Sequence, residues 1–169
     1  MRILWPDARF NDGTEIERRM AGQDAEFDIH NESDPDAIPE SSWSAADVVM
    51  VYNTMKIDRR VSERLKRARI LIRIGVGYDK IDLKAFGELG IPVCNTPDYG
   101  TTEVADTAIA MLLSLSRGIV TYDEMLRQDP HANWTFRTAP AVRRLRHRNF
   151  GVVGLGRIGT AAARRARAV

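Results

Sequence analysis

Apolar positions along the chain fall into short runs separated by polar stretches with helical spacing. Arg2 to Trp5 reads as a strand, and Glu15 to Met20 as a short helix behind the polar turn Asn11-Asp12-Gly13. Glu26 to Ile29 is a second strand. Asn31 to Ser42 reads as a loop, because Pro35, Pro39 and several acids interrupt it. Asp47 to Val51 is a buried strand, and Asp58 to Ala68 an amphipathic helix with Val61, Leu65 and Ala68 on one side. Ile70 to Ile74 is the fourth strand, Asp82 to Leu89 a helix ended by Gly90, and Pro92 to Cys94 the start of a fifth strand. Strands alternating with helices in this way predict a parallel sheet covered on both faces. Five strands by Cys94 complete a small doubly wound α/β domain, flavodoxin-like in order.

The pattern then changes. Thr101-Thr102-Glu103 opens a long helix, Val104 to Ser116, that is apolar around most of its circumference. Such a helix is expected to be buried between layers or across a subunit contact. Gly118 interrupts it, and Thr121 to Arg127 continues as helix. Asp129 to Arg148 is a poorly patterned connection with Pro130 and Pro140 as breakers.

The connection leads into Phe150 to Val153, an apolar run that reads as a buried strand. Gly154-x-Gly156-x-x-Gly159 follows at once and opens a helix-forming stretch. Each glycine has a job in a dinucleotide-binding turn. Gly154 permits the tight strand-to-helix turn, Gly156 lets the backbone approach a pyrophosphate, and Gly159 lets the helix pack close to the strand. The free N–H groups and dipole of the helix start favour phosphate there. The competing reading is a merely structural βα turn. A lone strand also has no sheet in which to pair, so Val152, Val153 and Leu155 are expected to be left uncovered.

Composition narrows the picture little: 44% hydrophobic and 28% charged residues suit a globular protein. The single cysteine, Cys94, excludes an intramolecular disulfide and a cysteine-based metal cluster, which fits a reducing cytoplasm. Pro6 and Asp7 interrupt the first apolar run, and no uninterrupted apolar stretch has membrane-spanning length, so neither signal peptide nor membrane span is expected. The net charge of +2 conceals an asymmetry. No acid follows Asp129, whereas Arg137, Arg143, Arg144, Arg146, Arg148, Arg157, Arg164, Arg165 and Arg167 do. A solvated linker accounts for Arg143 to Arg148 better than nucleic-acid binding does.

From Ile70 onward the chain resembles the N-terminal half of the D-isomer-specific 2-hydroxyacid dehydrogenases. The resemblance rests on Arg73-Ile-Gly-Val-Gly-Tyr-Asp79, Ile81-Asp-Leu83, Gly90-Ile-Pro-Val-Cys-Asn-Thr-Pro97 and Val104-Ala-Asp106. It continues through Arg143-Arg-Leu-Arg146 and the Gly154 to Gly159 fingerprint. The wording Arg73-Ile-Gly, Ile91-Pro-Val-Cys-Asn and Glu103-Val-Ala-Asp is similar to the C-terminal-binding-protein branch, whose animal members are NAD-responsive transcriptional corepressors.

The resemblance implies an NAD(P)-dependent oxidoreductase that acts reversibly on the CH–OH group of a D-2-hydroxy acid. NAD is the expected cofactor, with NADP open because the selecting acid would lie beyond Val169. Gly75, Val76 and Gly77 would meet the substrate carboxylate. Val76, Val104, Gly154, Gly156, Arg157, Ile158 and Gly159 would meet the cofactor, and Asn95-Thr-Pro97 looks like the crossing between domains. The family's arginine, glutamate and histidine are expected beyond Val169, so no catalytic residue is assigned here, and His30, His131 and His147 are not promoted in their place. No metal ligands are expected. The implied layout is a substrate domain over 1–100, a long inter-domain or dimerisation helix and connection over 101–148, and the truncated start of a Rossmann NAD-binding domain over 149–169. A full-length homodimer follows from the same resemblance. The alternatives are an NAD-sensing corepressor-type binding protein and an inactive truncated product.

Overall fold

The computed structural model describes residues 1–9, 14–134 and 139–169, which form two compact units, Met1–Pro97 and Asp98–Val169. The turn Asn11-Asp12-Gly13 lies outside the described residues. In the first unit five strands form the sheet: β1 (Arg2–Trp5), β2 (Glu26–Ile29), β3 (Val48–Val51), β4 (Ile70–Arg73) and β5 (Val93–Asn95). Every pairing is parallel and the order is β2-β1-β3-β4-β5, the flavodoxin-like order. Ile3 lies beside both Phe27 and Val48, and Leu71 beside both Val49 and Val93. The chain winds one way from β1 to β2 and the other way from β3 onward. The switch between β1 and β3 therefore opens at the carboxyl edge, where this class of sheet binds ligands.

Continuous apolar runs make these strands because both faces are covered: Leu4, Val49 and Leu71 are fully buried. They join Ile38, Trp43, Ile57, Val61 and Phe86 in one core. Trp5 and Trp43 are both buried within this unit, and each large apolar side chain contributes roughly 2 kcal/mol on leaving water.

The helices are α1 (Glu15–Ala21), α2 (Glu40–Ala45), α3 (Arg59–Arg64) and α4 (Leu83–Glu88). Asp58 and Asp82 cap α3 and α4 by accepting from the amides of Val61 and Ala85 at 3.2 and 3.0 Å. Gly90 takes a left-handed φ of 69° just beyond α4. Two expectations need correction. Asn31 to Ser42 is not all loop: Pro35–Ala37 is a 3-10 turn, and α2 begins at Glu40 and buries Ser42 and Trp43. The prolines start these elements rather than breaking them, since a first-turn residue needs no intrahelical N–H. Helix α3 also stops well short of Ala68.

The second unit comprises α5 (Thr101–Arg117), α6 (Ile119–Gln128), α7 (Pro130–Asn133) and α8 (Arg157–Ala166), with α8 packed on α5. Gly118, at φ 67°, separates α5 from α6. A Cβ there would lie 2.9 Å from both Ala139 and Val142, so the close approach as well as the bend calls for glycine. Asp129 accepts from the amides of His131 and Ala132, both at 2.9 Å, so Pro130 opens α7 instead of ending structure.

Helix α5 buries only Ala105, Ile109 and Ser116 and leaves Met111 and Leu115 exposed, contrary to full burial within this chain. Phe150 to Val153 is not a buried strand. No described strand pairs with it, Phe150 and Val153 are exposed, and so is Leu155. A strand is defined by its neighbour, and an apolar run alone does not supply one. The turn and the helix of the predicted strand-turn-helix do form. Among the described residues no single helix is long and apolar enough to cross a membrane, although α5 and α6, bent by 56°, reach that length and composition as a pair.

Candidate functional site

In the first unit the segment after β4 has an unusual division of hydrogen bonds. Gly75 donates to the Arg73 carbonyl at 2.9 Å, closing a tight turn, and adopts a φ of 139°. A Cβ at Gly75 would lie 1.9 Å from the Arg73 guanidinium, which folds into the space that glycine leaves. Arg73 Nε donates to the Gly77 carbonyl at 2.7 Å, and Nη1 donates to that of Ile74. The Thr96 amide donates to the Gly75 carbonyl at 3.1 Å, and Asn95 Nδ2 to that of Val76 at 2.9 Å. Four consecutive carbonyls, Ile74 to Gly77, are thus engaged, while the amides of Val76 and Gly77 donate to no described residue. Backbone with its acceptors satisfied and its donors free is suited to an anion. The Val76 side chain is exposed.

Beside this loop a cleft of about 170 Å³ is walled by Tyr52, Asn53 and Met55 from the segment after β3, by Arg73, and by residues from Gly77 to Ile81. The Arg73 guanidinium lies 5.8 Å from the Tyr52 ring centroid. Lys80 Nζ donates to the carbonyls of Asn53 and Thr54 at 2.7 and 3.4 Å. The cleft therefore has two cationic side chains, Arg73 and Lys80, against one acid, Asp79.

Behind the Tyr52 wall lies Asp7, fully buried just past the carboxyl end of β1. Its Oδ1 accepts from the Tyr52 amide at 2.7 Å. Its Oδ2 accepts from the Thr54 amide and hydroxyl at 3.2 and 3.0 Å and from the Met55 amide at 3.4 Å. Neither Asp7 nor Lys80 is a site candidate in the sequence reading. The available signal is an acid directly after an apolar strand, where burial demands partners.

In the second unit the glycine fingerprint forms the turn into α8. Gly154 takes a φ of 88°. Gly156 is the residue preceding the helix, and no side chain caps the helix start. A Cβ on Gly156 would meet nothing within 4 Å, whereas one on Gly159 would lie 2.0 Å from the Gly154 carbonyl oxygen. The amides of Arg157, Ile158 and Gly159 donate to no described residue. Open space at Gly156 and three free donors at a helix start fit a dinucleotide phosphate. Arg157 pairs with Asp98 at 3.2 Å, and Arg165 pairs with Asp106 on α5. Val104 is half-exposed on α5.

The sequence candidates thus form two groups. Gly75, Val76 and Gly77 share one loop of the first unit. Gly154, Gly156, Arg157, Ile158 and Gly159 share one turn of the second unit, and Val104 lies on α5 of that unit. None of the three histidines lines the cleft. His30 sits 2.9 Å from Asp28, which Arg2 also contacts at 3.0 Å. Burial alone would raise the Asp28 carboxyl, but hydrogen bonds from Ser42, Arg2 and His30 outweigh it and hold the pKa below its ordinary value. At the start of α5, Glu103 is also held low, by its own backbone amide and then by the Thr102 hydroxyl.

Comparison with known proteins places this geometry in a family. The sequence profile described as D-isomer specific 2-hydroxyacid dehydrogenase, catalytic domain, matches residues 10–167. C-terminal-binding protein 1 of Caenorhabditis elegans is 34% identical over 135 residues, which is 78% of this chain and 18% of that protein. Glyoxylate reductase of Pyrococcus furiosus is 36% identical over 129 residues, 72% of this chain and 37% of that protein. Among solved structures, an NADPH-dependent glyoxylate/hydroxypyruvate reductase of Sinorhizobium meliloti, crystallised with citrate, is 33% identical with a TM-score of 0.82, over 99% of this chain and 51% of that one. The chain therefore spans about half or less of the length of these relatives. A profile match that runs through both the sheet unit and the glycine fingerprint makes the chain a member of the D-isomer-specific 2-hydroxyacid dehydrogenase family.

Proposed function

We propose that this chain is the amino-terminal part of an NAD(P)-dependent oxidoreductase acting reversibly on the CH–OH group of a D-2-hydroxy acid. The observation that carries the reading is the loop at residues 74–77, with its carbonyls engaged and the amides of Val76 and Gly77 free. The amides of Val76 and Gly77 hold the substrate carboxylate, Gly75 shapes the turn that presents them, and Val76 also borders the nicotinamide. Gly154, Gly156, Arg157, Ile158 and Gly159 hold the dinucleotide pyrophosphate, and Val104 packs near the cofactor. When bound, the nicotinamide supplies the hydride. Arg73 positions the loop by occupying the carbonyls of Ile74 and Gly77. The excess of cationic groups at the cleft draws in an anionic acid.

On this reading residues 1–100 form the substrate domain, 101–148 the inter-domain helix and connection, and 149–169 the start of the NAD-binding domain. The family's arginine, glutamate and histidine have no counterpart assigned among these residues, so the 169-residue chain by itself turns over no 2-oxo acid. The complete protein is a cytoplasmic homodimer, in keeping with the apolar side chains Met111, Leu115, Ile119 and Val120 left exposed on α5 and α6. A second reading, a dinucleotide-responsive binding protein, is favoured by the likeness to the nematode C-terminal-binding protein.

Titration of the ¹⁵N-labelled chain with pyruvate tests the substrate site, with NADH oxidation followed in parallel. Shifts at the Val76 and Gly77 amides with no NADH oxidation above background are expected. Measurable oxidation would overturn the inactivity of the chain, and unmoved Val76 and Gly77 amides would overturn the substrate assignment.

A further inference from the structure

We infer that Asp7 is a positioning residue that sets the wall of the cleft facing the substrate's side chain, an inference that rests on reading the cleft as the 2-oxo acid site. The wall consists of Tyr52, Asn53 and Met55, and its backbone is held from two sides. From within, the buried Asp7 carboxylate accepts from the amides of Tyr52, Thr54 and Met55 and from the Thr54 hydroxyl. From outside, the Lys80 ammonium draws on the carbonyls of Asn53 and Thr54. Donors and acceptors of one four-residue segment are thus tied to opposite charges on different elements. The segment has no regular secondary structure to fix it, so these charge-assisted bonds hold the backbone that carries Tyr52 and Met55.

Asp7 is not among the residues that line the cleft, and its carboxylate bonds to the wall segment and not to the 74–77 loop. A merely structural carboxylate would change how much folded protein there is. A positioning carboxylate changes which acids the folded protein prefers. The carboxylate end of every 2-oxo acid is read by Val76 and Gly77, to which Asp7 makes no hydrogen bond, while the size of the C3 substituent is read by the wall. Loosening the wall therefore alters discrimination by chain length and leaves carboxylate binding in place.

The test uses the full 169-residue chain, its Asp7→Asn variant and a milder Thr54→Val variant that deletes only the hydroxyl bond. Amide hydrogen exchange and titrations with pyruvate and 2-oxopentanoate supply the readouts. In Asp7→Asn, exchange at Tyr52, Thr54 and Met55 should rise about tenfold or more while strand amides keep their protection. The ratio of the two dissociation constants should move about threefold or more, with pyruvate still shifting Val76 and Gly77. Thr54→Val should show the same changes in smaller measure, and it decides the matter if Asp7→Asn does not fold. Parent-like exchange at 52–55 would overturn the role of Asp7 while leaving the cleft assignment intact, and so would an unchanged ratio. Absence of any shift at Val76 and Gly77 in the parent chain would overturn the cleft assignment and this inference with it.

Discussion

Two glycines of the same fingerprint should respond to substitution in opposite ways. At Gly159 an added Cβ would stand 2.0 Å from the Gly154 carbonyl oxygen, whereas ordinary contact begins near 3.4 Å. Helix α8 must then retreat from the turn by about 1.4 Å, or the turn must open. Forced repacking of this kind costs about 1–3 kcal/mol. The better helix propensity of alanine returns at most roughly 1 kcal/mol. Gly159→Ala should therefore destabilise the second unit by about 1–2 kcal/mol, with its Tm falling by about 4–8 °C for each kcal/mol in a unit of this size.

At Gly156 nothing lies within 4 Å of the added atom, and φ −78° with ψ −160° is open to any L-residue. Gly156→Val should leave the melt within about 0.5 kcal/mol of the parent. It should nevertheless weaken NADH by about tenfold or more, equivalent to about 1.4 kcal/mol, because the side chain fills the space assigned to phosphate. Urea melts of the cofactor-free proteins, and NADH fluorescence titrations of the protein carrying a complete nucleotide domain, measure the two effects separately. A Gly159→Ala variant that melts with the parent would refute the packing argument. Parent-like NADH affinity in Gly156→Val would refute the phosphate assignment.

Gly75→Ala should lower stability by about 1–3 kcal/mol in a urea melt, because a φ of 139° strains any side chain there, while the flexible Arg73 side chain beside the new Cβ can swing aside. Asp28 contributes stability in a defined pH window. Its folded-state pKa lies below the ordinary value, so the contribution is present in full above about pH 4 and is lost as pH falls through the folded-state pKa. Asp28→Asn should cost about 1–2 kcal/mol at pH 7, and its urea midpoint should converge on that of the parent under acid conditions. A gap that stayed constant down to pH 2.5 would show that charge is not the cause.

What could be read from the sequence depended on whether a signal was local. Val48–Val51 is apolar throughout because both faces of a parallel strand are covered, so composition alone marks it. Asp82 and Gly90 bracket α4 with chemistry that needs no partner elsewhere. Helix α2 was hidden because a proline that opens a helix and one that breaks it look alike until its neighbours are placed. Phe150 to Val153 has the composition of a strand, but strand formation belongs to a pair of segments. The same limit applies at the site. The glycines at 75, 77, 154, 156 and 159 announce turns by themselves. Asp7 has meaning only beside Tyr52, a residue 45 positions away. Lys80 likewise reads as one more surface lysine until Asn53 is seen beneath it.

The placement of tryptophans gives the protein a ready optical division of labour. Trp5 and Trp43 are buried in the sheet unit, while Trp134 in the helical unit is 80% exposed. Iodide, which stays in water, should quench Trp134 and leave the other two bright. The emission that survives iodide then follows melting of the sheet unit alone and without a label, because Trp134 already stands in water before the helical unit unfolds. In Gly159→Ala this trace should coincide with that of the parent, and in Asp28→Asn it should shift.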